Sequence, residues 1–195
     1  MRTQVIIPSP KDHSSIKNVA VFGSADVDSK DPLYQEAFNV ARYLAYHDKV
    51  IVNGGGPGIM QAATDGAKAG GGQTLVVTFS PDPLEAPEFE GRFNENKADK
   101  EIKTKNYVER MFGLMEHADA FIIFKGGTGT LSEWATTWLM AHIYYGHHKP
   151  FILYGEFWYE VVQCMENNFF IGKHEMEVFE IVKDEAELIP AFTRF

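Results

Sequence analysis

Two glycine-rich segments hold the residues of this sequence that are best suited to bind an anion. Residues 125–130 read KGGTGT, and residues 53–60 read NGGGPGIM. Glycines let backbone N–H groups approach an anion without a Cβ atom in the way, and the start of a following helix adds partial positive charge. Two threonine hydroxyls in the first segment add further donors. The predicted phosphate ligands are Gly126, Gly127, Thr128, Gly129 and Thr130; a tight turn without a ligand is the alternative.

Neither segment matches the common nucleotide fingerprints. The pattern G-x-x-x-x-G-K-[ST] occurs nowhere, which argues against an ordinary NTPase. Residues 127–132 approach G-x-G-x-x-G only with Ser132 in the last place, and they follow a late strand rather than the first. We therefore expect neither NAD nor FAD, and no other cofactor.

Three charged residues near these segments are candidates for chemistry. Glu133 stands three residues into the helix predicted after KGGTGT, so its carboxylate could face the ligand; a capping box with Thr130 is the alternative. Arg110 could bind phosphate or carboxylate in a bidentate manner, or lie on a solvated surface. Lys125 precedes the loop and could contact the ligand or solvate the end of a strand.

Short apolar runs alternate with amphipathic stretches from residue 17 onward, which is typical of βα units on a parallel sheet. The predicted strands are residues 17–22, 49–52, 74–79, 119–124, 150–154 and 178–182. The predicted helices are residues 32–47, 58–69, 106–117, 130–145, 157–167 and 184–192. This alternation predicts a Rossmann-like, doubly wound, mainly parallel sheet flanked by helices, with strand 119–124, the most apolar one, as its central strand. The glycine segments then lie at the carboxyl edge, where such folds bind ligands.

A chain of 195 residues is long enough for one sizeable core, so we expect a single domain over residues 1–195. Residues 1–16 form an N-terminal extension in this interpretation. Residues 80–105 contain three prolines and mixed charge, and they are interpreted as a flap or insertion with a short strand near its end. An insertion without a role remains the alternative for that segment.

Composition limits the partners and the compartment. Eighteen basic and 27 acidic residues give a net charge of −9, which argues against a nucleic-acid polymer as partner. The single cysteine, Cys164, forms no internal disulfide, and no apolar run has the length of a signal or membrane segment. We expect a cytoplasmic protein that does not bind membranes. The seven histidines lack metal-ligand spacing, so no metal site is predicted.

An aromatic stripe runs along the helix predicted at residues 130–145. Trp134, Trp138, Ala141 and Tyr145 recur at helical spacing. The stripe favours core packing, and a helix-to-helix dimer seam is the competing interpretation.

Taken together, the motifs resemble those of the LOG family, the cytokinin riboside 5′-monophosphate phosphoribohydrolases that are often labelled possible lysine decarboxylases. Residues 54–63 (GGGPGIMQAA) resemble the family's GGGPGIMEAA segment, and residues 125–133 (KGGTGTLSE) resemble PGGxGTxxE. Arg110 followed by residues 117–121 (HADAF) resembles the family's arginine and strand start. The resemblance covers about residues 19 to 162.

The resemblance implies a Rossmann-like homodimer that hydrolyses the N-glycosidic bond of a nucleoside 5′-monophosphate, giving a free base and ribose 5-phosphate. It implies that Arg110 and Glu133 are catalytic, and that residues 126–130 hold the phosphate. The further substrate contacts that we expect are Gly23, Ser24, Asn53, Gly54, Gly55, Gly56 and Lys125. No residue pattern marks a pyridoxal-phosphate lysine, so the decarboxylase label has no support in the sequence. A non-catalytic protein that binds or carries a nucleotide or another phosphate ester is the alternative.

Three residues depart from the family pattern. Lys125 replaces a proline, Met111 replaces a lysine, and Gln61 replaces a glutamate. Either the specificity has changed or catalysis has been lost. The substrate that we expect for an active enzyme is AMP or a modified purine nucleotide.

Overall fold

The computed structural model describes residues 16–80 and 93–192, and within them one parallel sheet organises the chain. Its order is β4-β3-β2-β1-β5-β6-β7, and every neighbouring pair is parallel. The strands are β1 (Asn18–Phe22), β2 (Val50–Asn53), β3 (Thr74–Phe79), β4 (Lys100–Thr104), β5 (Ala120–Ile123), β6 (Phe151–Tyr154) and β7 (Glu180–Val182). The predicted Rossmann-like fold is confirmed. Residues 1–15 of the predicted N-terminal extension and residues 81–92 of the predicted flap lie outside the described residues.

Helices cover both faces of the sheet. They are α1 (Pro32–Tyr46), α2 (Ile59–Ala69), α3 (Tyr107–His117), α4 (Thr128–Ile143), α5 (Phe157–Asn168), α6 (Lys173–Met176) and α7 (Glu185–Phe192). Alternate residues of β1 point to opposite faces: Val19 and Val21 pack with α1, α2 and α7, whereas Ala20 and Phe22 pack with α3, α4 and α5. The core is thus divided into two apolar layers by the sheet.

The order in which the strands are added to the sheet reverses between β1 and β5. From β1 the chain proceeds outward through β2, β3 and β4, and it then returns to place β5 on the other side of β1. Open parallel sheets bind ligands outside the carboxyl ends of the strands at such a switch point. Both glycine segments lie at this edge of the sheet, because one follows β2 and the other follows β5, and these two strands flank β1.

Two parts of the element prediction need correction. The central strand is β1, and β5 lies beside it. The helix predicted to begin at Thr130 begins two residues earlier, at Thr128, and its N-cap is Gly127. In addition, the short helix α6 was not predicted.

Other local predictions are confirmed. Asn106 caps α3, because its side chain accepts a hydrogen bond of 2.9 Å from the backbone N–H of Glu109. The short strand expected near the end of residues 80–105 is β4, which pairs with β3 at the sheet edge.

The aromatic stripe of α4 belongs mainly to the core. Trp134, Trp138 and Ala141 are buried, as the packing interpretation predicts, and the rings of Trp134 and Trp138 stack 5.2 Å apart. Tyr145 lies beyond the helix end and is 43% exposed, so it does not continue the buried face.

Candidate functional site

Three loops meet at the switch point and are tied together by backbone hydrogen bonds. The N–H of Ser24, after β1, donates to the carbonyl of Lys125, after β5, at 3.0 Å. The carbonyl of Ser24 accepts from the N–H of Ile59 at 2.8 Å. Gly58 has φ of +64°, and a Cβ atom there would collide with the Ser24 carbonyl. The glycine at this position therefore lets α2 begin directly against the loop that follows β1.

Residues 127–130 of the KGGTGT segment, at the start of α4, form part of the wall of a cavity. This cavity has a volume of about 280 Å³. It is lined by Phe22, Gly23, Ala25, Asp26, Met60, Tyr107, Arg110, Gly127, Thr128, Gly129, Thr130 and Glu133. A Cβ atom at Gly127 or Gly129 would lie more than 4 Å from every neighbouring atom of residues 16–80 and 93–192. Packing within these residues therefore does not require a glycine at either position. Glycine in the first turn also lowers helix propensity, which is consistent with room kept for a ligand at this helix end.

Arg110 and Glu133 come together in this cavity from two different helices. The Arg110 Nη1 and Glu133 Oε1 atoms lie 3.6 Å apart, and the two side chains are only 11% and 9% exposed. Arg110 therefore does not lie on a solvated surface. Gly54 makes room for the guanidinium, since a Cβ atom there would overlap Arg110 Nη2.

The capping-box interpretation of Glu133 is wrong. Gly127 is the N-cap of α4 and makes no side-chain capping bond, so Thr130 lies inside the first turn. Glu133 is consequently the sixth residue of the helix, beyond the N3 position that a capping box requires. Its carboxylate lines the cavity instead.

Burial and charge act on Glu133 in opposite directions. Loss of solvent around the carboxylate raises its pKa from 4.5 to about 7, although the neighbouring Arg110 guanidinium lowers the pKa in part. A carboxyl group with a pKa of this kind exchanges protons near neutral pH, as an acid or base in catalysis must do.

The predicted substrate contacts divide into two groups. Gly23 and the segment from Gly127 to Thr130 line the cavity. Gly54 does not line it, but it leaves space for the Arg110 side chain, which does. The predicted residues that are not part of the lining are Ser24, Asn53, Gly55, Gly56, Lys125 and Gly126.

Some of these residues have a clear role in shaping the loops. Asn53 is fully buried; its amide oxygen accepts from Gly55 N–H at 2.8 Å, and its amide nitrogen donates to Thr64 Oγ1 at 2.9 Å. Lys125 is exposed, and its Nζ atom lies 5.6 Å from the centre of the Phe157 ring.

Tyr107, Asp26 and Met60 line the cavity but were missed by sequence reasoning. Tyr107 is the first residue of α3, one turn before Arg110, and that helical spacing could have indicated it. Asp26 follows Gly23 and Ser24 in the loop after the first strand, which is the other available signal.

The departure at Met111 concerns packing between helices. The Met111 sulfur lies 3.5 Å from the Ser132 hydroxyl and 3.3 Å from the Thr136 hydroxyl. Met111 thus packs α3 against α4. With methionine in place of the family's lysine, Arg110 is the one basic residue among the described residues that line the cavity.

None of the helices in residues 16–80 and 93–192 is long and apolar enough to cross a membrane. The same residues contain no group of three or more His, Cys, Asp and Glu side chains that could hold a metal ion.

Comparison with known proteins gives a family and a fold. The model of the family described as "Possible lysine decarboxylase" matches residues 60–192. An uncharacterized protein of Archaeoglobus fulgidus is 32% identical over 118 residues, which are 60% of this chain and 71% of the relative.

Two solved structures are similar in fold. The X-ray structure of TM1055, a structural genomics target, has a TM-score of 0.67 at 22% identity. The match covers 92% of this chain and 100% of the TM1055 chain. The molybdenum cofactor carrier protein of Chlamydomonas reinhardtii has a TM-score of 0.65 at 21% identity. The match covers 92% of this chain and 97% of the carrier protein.

Proposed function

The chain belongs to the family described as possible lysine decarboxylases, the LOG proteins that its motifs resemble, and we propose that it is a nucleoside 5′-monophosphate phosphoribohydrolase. Its substrate is AMP or a modified purine nucleotide, and its products are the free base and ribose 5-phosphate. The observation that carries the proposal is the buried pair of Arg110 and Glu133, which lines one cavity together with the N-terminal turn of α4.

The cavity offers a separate group for each part of the substrate. The glycine-rich start of α4 provides backbone N–H groups, two threonine hydroxyls and the positive end of the helix dipole for the phosphate. Glu133 follows on the same helix, one turn after Thr130, so its carboxylate faces the sugar of a nucleotide held by that loop.

Hydrolysis breaks the bond between C1′ and the base nitrogen through an oxocarbenium-like state. The Glu133 carboxylate stabilises the positive charge that develops at C1′ and orients a water molecule toward it. The water oxygen bonds to C1′, and one water proton ends on the departing base. Arg110 holds the substrate and favours the ionised form of Glu133.

A panel of nucleoside monophosphates, with chromatography of the released base, tests this proposal. We expect wild-type protein to release base from at least one purine monophosphate, and Glu133→Gln to lower kcat by at least about 100-fold, the scale of one acid–base or electrostatic group. Glu116→Gln, at an exposed position of α3, is the matched control and should retain wild-type turnover. No release across the panel, or unchanged release by Glu133→Gln, would refute it.

A non-catalytic carrier of a nucleotide or another phosphate ester is the second candidate. The fold similarity to a protein that carries the molybdenum cofactor favours it, and so does Lys125 in place of the family's proline. Calorimetry that finds tight AMP binding together with no released base would select the carrier over the hydrolase.

We also propose that two copies of the chain associate through the outer face of α4. The outward positions of this helix are Leu131, Ala135, Leu139 and Ile143, four residues apart, and all of them are exposed. Because the inner face is also apolar, α4 has little polar surface to meet water, and helices of this kind are usually buried. Antiparallel pairing of the same stripe from a second copy would cover it with two-fold symmetry.

A further inference from the structure

The Arg110 guanidinium packs directly against the second glycine segment, residues 53–60. A Cβ atom on Gly54 would overlap Arg110 Nη2 and would lie 2.7 Å from Arg110 Cζ. Arg110 Nη2 also lies 3.8 Å from the Met60 sulfur, which is a weak acceptor. The other terminal nitrogen, Nη1, is the one that lies 3.6 Å from Glu133 Oε1. The guanidinium thus fits between a glycine, a thioether and the carboxylate of the proposed reaction.

The glycine at position 54 is explained by space and not by backbone conformation. Gly55 and Gly58 have positive φ angles, which favour glycine, but Gly54 does not. An alanine would therefore suit the backbone of position 54. The nearest atoms to its Cβ would be Nη2 and Cζ of Arg110. A methyl group at this position would compete with the guanidinium for the same space.

The loop around this glycine is held by hydrogen bonds, so it has little freedom to move away from Arg110. The buried Asn53 side chain accepts a hydrogen bond of 2.8 Å from the Gly55 N–H. The Gly56 carbonyl accepts one of 2.9 Å from the Asn96 side-chain amide. The end of a long side chain moves between rotamers more readily than a bonded loop does. An added methyl group would therefore displace the guanidinium rather than the loop.

We propose that Gly54 is a positioning residue that acts through Arg110: the space that it leaves holds the guanidinium against the Glu133 carboxylate. This inference rests on the proposed function, in which Arg110 and Glu133 act together. It gives the two glycine segments different tasks. Residues 127–130 line the cavity and form the proposed phosphate site, whereas Gly54 serves the pair that acts on the sugar.

Displacement of the guanidinium has a consequence that can be measured on Glu133. The positive charge of Arg110 lowers the pKa of Glu133, and this effect weakens as the two groups move apart. Gly54→Ala should therefore raise the midpoint of the Glu133 titration, in the same direction as Arg110→Ala. In Arg110→Ala the contested space is already free. Gly54→Ala/Arg110→Ala should then titrate like Arg110→Ala alone, since two changes that act through one contact are not additive.

An NMR titration of protein labelled with ¹³C at the glutamate carboxyl carbons measures this midpoint without any substrate. The Glu133 signal is identified by its absence from Glu133→Gln. We expect Gly54→Ala to raise the midpoint by about one pH unit, and to cause no further rise when Arg110→Ala is present. Gly172→Ala is the matched control: it adds a methyl group at an exposed glycine with φ of −85°, next to the Glu175 carboxylate, and should leave the midpoint unchanged.

A role of Gly54 in the loop alone has a different signature in thermal unfolding. We expect Gly54→Ala to lower the melting temperature of wild type more than that of Arg110→Ala, because the methyl group has room only when the arginine side chain is absent. A double variant that folds where Gly54→Ala alone does not would support the inference by the same comparison. Equal destabilisation in both backgrounds would overturn it, and so would an unchanged Glu133 midpoint in Gly54→Ala.

The measurements also separate this inference from the proposed reaction. If wild type hydrolyses a nucleotide but the Glu133 midpoint is the same in Gly54→Ala, only the positioning role is refuted. If wild type hydrolyses none, only the reaction is refuted, and the titration still decides whether Gly54 holds the pair together. For an active enzyme, the midpoint of kcat/KM against pH in Gly54→Ala should rise together with the midpoint measured by NMR. A rise in neither would overturn the inference.

Discussion

Glu133 shows how one side chain acquires chemistry from its surroundings. A solvated glutamate is ionised at neutral pH, whereas burial raises the pKa of Glu133 to about 7 and Arg110 acts against that rise. In the proposed reaction the ionised carboxylate is the active form. The pH dependence of activity therefore reports on both residues of the pair.

We predict that kcat/KM for the best nucleotide rises with pH with a midpoint near 7 and levels off about one pH unit above it, because Glu133 in the free protein must lose its proton first. Arg110→Lys keeps the charge but not the planar guanidinium, whereas Arg110→Ala removes the charge that lowers the pKa of Glu133. In Arg110→Ala the rise should move to higher pH in addition to a lower plateau. Arg42→Ala, on α1, is the control that should leave the profile unchanged.

Rate profiles from pH 5 to 9 provide the measurement. A profile that is nearly flat over this range, as the ordinary glutamate pKa of about 4.3 would give, would contradict this account of the pair. An identical midpoint in wild type and Arg110→Ala would contradict it as well.

At the scale of secondary structure, periodicity and turn chemistry predicted most of the sheet and its helices. The strand at Thr74–Phe79 and the N-cap at Asn106 follow from local sequence, because apolar runs and capping side chains act within a few residues. The start of α4 was placed too late because its N-cap is a glycine, which offers no side-chain signal. That shift of two residues moved Glu133 away from the capping position.

The candidate site was harder to predict because its contacts are long-range. Arg110 and Glu133 were identified through motif resemblance, but their contact depends on α3 and α4 lying side by side on one face of the sheet. The fit of Gly54 against Arg110 joins the loop after β2 to α3, and no local pattern encodes it. Tyr107 belongs to no motif, and it lines the cavity because α3 begins there.

The outer face of α4 gives a prediction at the same scale. Leu139 is 56% exposed in the middle of the apolar stripe, so Leu139→Lys would place two charges close together in a symmetric pair. We expect wild type to have the mass of a dimer and Leu139→Lys that of a monomer, as measured by light scattering after size-exclusion chromatography. Ala186→Lys, at an exposed position of α7, should leave the mass unchanged. Equal masses for wild type and Leu139→Lys would show that the stripe is not the interface.

At the scale of the whole molecule, the site is a local exception to the overall charge. The chain carries a net charge of −9, yet its switch point presents a helix N-terminus and a buried arginine. In the proposed function these two groups attract the anionic substrate inside the cavity, and screening at physiological salt limits repulsion by the exposed acidic residues to about 8 Å. This arrangement suits a small phosphate ester better than a nucleic-acid polymer.

Burial of Glu133 also links the stability of the whole fold to pH. The pKa of this carboxyl is raised to about 7 in the folded state, compared with 4.5 when it is solvated in the unfolded chain. Between these values the folded state binds more protons than the unfolded state, so the free energy of unfolding falls as pH rises through this window. The stabilising contribution is complete below pH 4.5 and is lost above about pH 7.

Glu133→Gln isolates this contribution, because glutamine does not titrate and Arg110 stays charged throughout the range. From pH 5 to pH 8, the free energy of unfolding of wild type should fall relative to that of Glu133→Gln by the order of 2–3 kcal/mol. Urea titrations of both proteins at intervals of half a pH unit measure the difference. Parallel curves for the two proteins would show that Glu133 is ionised in the fold as readily as in water, and the burial that tunes it for the proposed reaction would then be refuted.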